Sequence, residues 1–68
     1  MQKWHDITLD VLYPQHQLGD TKFTVSFDVL AERDRQWTAY RGYEIIGEYR
    51  TETQAKVACD NANAYAFV

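Results

Sequence analysis

Cysteine, proline and glycine are scarce in this chain of 68 residues, which contains one cysteine, one proline and three glycines. A single cysteine, Cys59, cannot form a disulfide within the chain or build a cysteine-based metal cluster, so the sequence favours a reducing compartment and predicts a cytoplasmic protein. No apolar stretch reaches the length of a signal peptide or a membrane-spanning helix, and we therefore expect no membrane contact.

Positive charge is also in short supply. Seven Lys and Arg residues stand against ten Asp and Glu residues, which gives a formal net charge of −3. A negative protein repels polyphosphate, so the charge disfavours nucleic acid as a partner and favours a protein with a basic surface.

Apolar residues are plentiful for so short a chain. Hydrophobic residues make up 46% of the sequence and aromatic residues 15%, which is enough for one folded domain over residues 1–68. A domain of this length hides only about 60% of the surface that its unfolded chain would expose. A bound partner would add to its stability, and a homodimer is one alternative.

Apolar and polar residues alternate along much of the chain, which is the pattern of half-buried strands. Strands are predicted over residues 4–13, 22–30, 36–40 and 43–49. Residues 14–21 are predicted to form a hairpin loop, and Gly42 can supply the positive φ of a second, tight hairpin. The buried face is predicted to consist of Ile7, Leu9, Val11, Tyr13, Phe23, Val25, Phe27, Val29, Trp37, Ala39, Tyr43, Ile45 and Tyr49.

Small apolar residues recur at spacings of three and four after residue 50, which indicates a helix that covers this face. The stripe consists of Ala55, Ala58, Cys59, Ala62, Tyr65 and Ala66. Thr51 is the predicted N-cap, and Gln54 can complete a reciprocal capping box with it. The predicted fold is α+β: a four-stranded antiparallel sheet with one C-terminal helix packed on one face.

The segment from Trp37 to Ala62 reads W-x-A, then G-Y-E-I-I-G-E-Y-R-T, then A-x-x-A-x-D-x-A. It resembles the plant-type AP2 domain and the related arm-binding domains of phage and transposon integrases, in which a three-stranded sheet packs on one helix. The matching residues are Trp37, Ala39, Gly47, Tyr49, Thr51, Ala55, Ala58, Asp60 and Ala62. The resemblance implies a DNA-binding module that uses the sheet, with Arg33, Arg35 and Arg41 as candidate phosphate contacts.

The even-numbered strand residues would form the open face of the sheet, and most of the charged ones are acidic. Carboxylates placed against phosphates would weaken DNA binding, so this function is our second interpretation. Apolar residues, including Leu12 and Leu30, share the predicted face and could form the kind of patch that marks a protein interface. The predicted protein-binding site consists of Asp6, Asp10, Asp28, Tyr40, Glu44, Ile46 and Glu48.

No pattern in the sequence supports catalysis or a cofactor. His5 and His16 lack the further ligands that a metal site needs. The carboxylates lie on a small sheet that offers no cleft, and Cys59 lies on an apolar stripe with no activating neighbour. In size and acidity the chain resembles small phage-encoded inhibitors of the anti-CRISPR type, which implies that it blocks a basic, nucleic-acid-binding host protein.

Overall fold

Five short strands form one antiparallel sheet, in the order β1-β2-β3-β4-β5, in the computed structural model, which describes residues 3–65. The strands are β1 (Trp4–Asp6), β2 (Gln15–Leu18), β3 (Phe23–Phe27), β4 (Trp37–Arg41) and β5 (Glu44–Tyr49). A 3₁₀ turn (Arg33–Arg35) precedes β4, and helix α1 (Glu52–Tyr65) packs on one face of the sheet. The predicted α+β class is confirmed, but the sheet has five strands where four were predicted.

The error lies in the first third of the chain. The predicted strand over residues 4–13 ends at Asp6, and the predicted loop over 14–21 contains β2. Asp6 Oδ1 accepts the N–H of Thr8 at 2.7 Å, and such a bond gives the backbone an alternative to the sheet ladder. Beyond Asp6 the alternating residues therefore leave the sheet, and Leu9 is 98% exposed.

The core lies between the helix and strands β3, β4 and β5, and Leu18 of β2 completes it. Among residues 3–65, six are buried, namely Leu18, Phe23, Val25, Ala39, Ala55 and Cys59. Trp4, Trp37, Ile46, Tyr49 and Ala62 pack against them. Several residues that were predicted to be buried are instead exposed, namely Leu9, Val11, Tyr13, Val29, Tyr43 and Ile45.

A β-bulge changes which residues of β5 face the helix. Ala39 lies opposite Gly47, but the next residue of β4, Tyr40, lies opposite Ile45, which leaves Ile46 as an extra residue in β5. Ile45 consequently shares the open face with Tyr40, whereas Ile46 packs against the core. The predicted positions of both isoleucines were therefore wrong, because a strict alternation cannot represent an extra residue.

The turn before β5 contains Gly42 as predicted, but Tyr43, which was predicted to lie in the strand, forms the turn with it. Arg41 and Glu44 are paired across the two strands, so only Gly42 and Tyr43 connect them. Gly42 has a φ of +63°, whereas the φ of Tyr43 is not positive. A type I′ turn would require a positive φ at both residues. This combination is typical of a type II′ hairpin, which needs glycine at its first position.

Helix α1 begins where the sequence predicts. Thr51 Oγ1 accepts the N–H of Gln54 at 3.1 Å, which satisfies one amide of the first turn. Ala55 and Cys59 of the predicted stripe are fully buried, and Ala62 packs beside them. Tyr65 is 78% exposed, contrary to the prediction, and Ala66 lies outside the described residues.

A side-chain cluster ties the start of the helix to the first two strands. Glu52 Oε1 lies 2.9 Å from His16 Nε2, and Glu52 Oε2 accepts a hydrogen bond from Lys56 Nζ at 3.1 Å. The Lys56 ammonium lies 5.5 Å from the ring centre of Trp4, within cation–π range. In the part of the chain from residue 3 to residue 65, no helix is long and apolar enough to cross a membrane.

Candidate protein-binding surface

Two connecting segments leave the sheet at the same end. Residues 7–14 join β1 to β2, and residues 28–36 join β3 to β4. The two segments are neighbours, because the N–H of Phe27 donates to the carbonyl oxygen of Pro14 at 2.9 Å. We refer to residues 7–14 and 28–36 together as the loop end.

The loop end contains the same turn twice. The tripeptide Asp-Val-Leu occurs at residues 10–12 and again at residues 28–30. In each copy the aspartate Oδ1 accepts the leucine N–H, at 3.0 Å in the first and 2.9 Å in the second. The aspartate carbonyl also accepts the N–H three residues on, at 2.8 Å and 3.2 Å respectively. Both turns are thus closed by their own aspartate.

These turns direct aliphatic side chains into solvent. Val11 is 88% exposed and Leu30 is 85% exposed, while Leu12 and Val29 are 62% and 48% exposed. Leu9 lies beside the first turn and is almost fully exposed. Exposed apolar residues are ordinary when scattered, but a group of them at one end of a small domain is typical of an interaction surface.

Carboxylates surround this apolar group. The acidic residues in and next to the loop end are Asp6, Asp10, Asp28, Glu32 and Asp34, against Arg33 and Arg35. Hydrogen bonds from the Thr8 hydroxyl and amide lower the pKa of Asp6, and the nearby His16 adds to the effect. The surface is therefore apolar at the turns and predominantly negative around them.

The open face of the sheet is different in character. Residues that pair across strands share a face, and the uncovered one carries Gln15, Gln17, Thr24, Ser26, Thr38, Tyr40, Ile45 and Glu48. Most of these side chains are neutral hydrogen-bonding groups. The expected acidic face was wrong, because all but one of the carboxylates assigned to it lie elsewhere.

The predicted site residues are divided among several places. Asp6, Asp10 and Asp28 lie at or beside the loop end, where the two turns bring the last two into equivalent positions. Tyr40 and Glu48 lie on the open face. Glu44 lies at the opposite end of the sheet in an ion pair with Arg41 at 2.9 Å, and Ile46 packs against the core.

Sequence reasoning missed Leu9, Val11 and Val29 as surface residues because each occupies an odd position in an alternating run. The repeated Asp-Val-Leu tripeptide was a signal that could have identified them. An aspartate two residues before a leucine can hydrogen-bond the backbone in a turn, which turns the aliphatic side chains away from a sheet.

The structure also locates the groups that were considered for chemistry. Among residues 3–65, no three His, Cys, Asp or Glu side chains are grouped to hold a metal ion. Cys59 is fully buried, and burial, with Asp60 nearby, raises the pKa of its thiol to about 11. At neutral pH the sulfur therefore carries its proton and is a poor nucleophile.

Comparison with known protein families, with curated proteins and with solved structures finds no match to this chain.

Proposed function

We propose that this protein is a non-enzymatic binding protein that docks its loop end on another protein. The observation that carries the proposal is the pair of Asp-Val-Leu turns, which expose aliphatic side chains next to carboxylates. A partner that fits this surface has an apolar depression bordered by Lys or Arg residues.

The turns suit this role energetically. Full burial of a Val or Leu side chain contributes about 1.5–3 kcal/mol, and Val11 and Leu30 begin almost fully exposed. Each turn hydrogen-bonds the backbone of its own leucine, so docking does not leave those amides unsatisfied. The remaining lone pairs of Asp10 and Asp28 can attract basic groups during the encounter.

The kind of partner that the loop end would block is a protein whose basic surface normally binds nucleic acid. The protein would then act as an inhibitor, in the manner of small phage-encoded proteins that block a host protein. Blocking of this kind needs only steric coverage and opposite charge, so no catalytic group is required.

Affinity capture with paired variants tests the proposal. The variant Val11→Asp with Leu30→Asp should lose the partner that the wild-type protein retains from a host lysate. Tyr43→Asp is the matched control, because Tyr43 is a fully exposed apolar residue at the other end of the sheet. A partner that the loop-end variant still captures, and that Tyr43→Asp does not, would place the interface elsewhere.

DNA binding through the sheet is a second candidate function. It is favoured by the neutral, hydrogen-bonding character of the open face, which removes most of the expected repulsion. Against it, Arg33 and Arg35 precede β4 while Arg41 ends it, so these arginines lie at opposite ends of a strand. Gel-shift titration with duplex DNA at two salt concentrations decides the matter, since phosphate contacts weaken steeply with salt.

A further inference from the structure

A groove of about 590 Å³ runs between strand β5 and helix α1 along the free edge of the sheet, and Glu48 contributes to it from the open face. We infer that this groove binds an extended, basic segment of a partner protein, which adds to β5 as a sixth strand. This site adjoins the loop-end surface of the proposed function, with which it shares Asp34, and its other lining residues lie outside the loop end. Its lining comprises Asp34, Glu48, Tyr49, Arg50, Thr53, Gln54, Val57, Ala58 and Asn61.

Strand β5 has an edge that can accept another strand. Within residues 3–65 it pairs only with β4, and its six residues contain neither lysine nor proline, two residues that commonly guard an exposed edge. The bulge at Ile46 interrupts the hairpin side of the strand, and Gly47, Glu48 and Tyr49 continue the regular ladder beside the groove. In an antiparallel sheet every second residue of an edge strand points its N–H and C=O outward. These groups can hydrogen-bond an extended peptide, which is a common mode of peptide recognition.

The other edge of the sheet is a poorer acceptor. Strand β1 has only three residues, against six in β5. Three residues offer few outward-pointing backbone groups for hydrogen bonds to an added strand. The groove that could hold its side chains lies beside β5 and not beside β1. The two edges therefore differ in both length and access to an apolar surface.

The groove supplies pockets for the side chains of such a peptide. Tyr49 and Val57 form apolar walls, and Val57 is 49% exposed. Ala58 is small and leaves room between the helix and the strand. Because side chains of a strand alternate between its two faces, every second residue of the added strand would direct an apolar side chain into this space.

Charge selects a basic peptide. Asp34 and Glu48 contribute two carboxylates to the lining and Arg50 one guanidinium, and no ion pair engages either carboxylate in the described part of the chain. A lysine or arginine in the peptide can pair with them. A second copy of this chain fits less well, because pairing β5 with itself brings Glu44 and Glu48 of both copies together.

The test uses a six-residue peptide of alternating valine and lysine, matched in length to β5, and measures amide chemical shifts and hydrogen exchange of the isotope-labelled protein. We expect saturable shifts at β5 and at the groove side of α1, with slower exchange of the outward β5 amides. The same peptide made with glutamate in place of lysine should bind at least about tenfold more weakly.

Backbone methylation of the peptide isolates strand addition. One peptide is N-methylated at every valine and another at every lysine, so that only one of them keeps its donors toward β5. One should lose binding and the other should keep it. Equal binding of both would overturn strand addition, as would equal binding of the valine–glutamate peptide.

Protein variants locate the site. Val57→Lys removes an apolar wall and repels the peptide, and we expect about a tenfold or greater loss of affinity. Ala64→Lys is the control, because Ala64 is exposed on the same helix and does not line the groove. Unchanged affinity of Val57→Lys, shifts confined to the loop end, or peptide-independent dimerisation through β5 would overturn the inference. Loss of partner capture by loop-end variants leaves it standing.

Discussion

The Sγ of Cys59 lies 3.7 Å from the carbonyl oxygen of Thr24, at the point where helix α1 crosses strand β3. The thiol donates a weak hydrogen bond there and fills space as a small apolar group would. Helix and sheet approach closely enough at this point to exclude water completely from the side chain.

The buried thiol should make stability depend on alkaline pH. Its pKa rises from 9.0 to about 11 on folding, chiefly through burial. The folded state therefore holds the proton more tightly than the unfolded state, so the stabilisation is complete below pH 9 and is lost as pH rises toward 11. The loss should approach about 2–3 kcal/mol.

Chemical denaturation of the wild-type protein and of Cys59→Ala across pH 8 to 11 isolates this effect, since other groups titrate equally in both. The difference between the two proteins should shrink as pH rises. A thiol reagent should also react with native Cys59 far more slowly than with the unfolded chain. Rapid labelling of the native protein would contradict the burial of Cys59.

The helix–sheet contact should be most sensitive at Ala55. This residue is fully buried beside Cys59, and Ala55→Leu should destabilise the fold by about 1–3 kcal/mol because the added methylenes have no space. Ala58→Leu should cost much less, since Ala58 lines the open groove beside β5. Equal losses in thermal melts would show that the groove is closed in solution.

The N-cap of the helix should contribute measurably to stability. Thr51→Ala removes the acceptor for the Gln54 N–H and should cost about 0.5–2 kcal/mol. Thr53→Ala is the control, because Thr53 lies exposed within the first turn of the helix. If urea denaturation gives the same loss for both threonines, the helix begins later than Thr51.

The two Asp-Val-Leu turns allow charge and turn geometry to be separated. Asn can accept the same backbone hydrogen bond as Asp, so Asp10→Asn with Asp28→Asn should keep the turns while removing two charges. Association with a basic partner should slow, most clearly at low salt, with little change in dissociation.

Replacing the same residues with Ala should open both turns and speed dissociation as well, because the leucine amides lose their acceptors. Surface plasmon resonance at two salt concentrations separates the two effects. An asparagine variant that binds as fast as wild type would show that these carboxylates act only within the turns.

Sequence patterns correctly predicted those elements in which the local preference of the residues agrees with the contacts that they make in the fold. Strands β3 and β4 alternate without interruption, and Phe23, Val25 and Ala39 are buried as expected. The helix start was predicted because Thr51 and Gln54 are a local pair. The core-facing part of the helix followed from the spacing of Ala55 and Cys59.

Strand β2 was missed because its sequence, Gln-His-Gln-Leu, carries none of the β-branched or aromatic residues that favour strands. It is a strand because β1 and β3 pair with it on both sides. The loop end was missed for the opposite reason, since residues 7–13 alternate like a strand while Asp6 and Asp10 bond the nearby backbone. The binding surface depends on both of these features.

Because Ile46 is an extra residue in β5, deleting one residue there should disturb the sheet less than a deletion in a regular strand would. Removing either Ile45 or Ile46 would leave Ala39 opposite Gly47 and still close the hairpin at Arg41 and Glu44. Deleting Ile45 would therefore convert the bulge to a regular ladder, with Ile46 moving to the open face opposite Tyr40. In most strands a single deletion reverses every side chain beyond it, whereas here only Ile46 changes face.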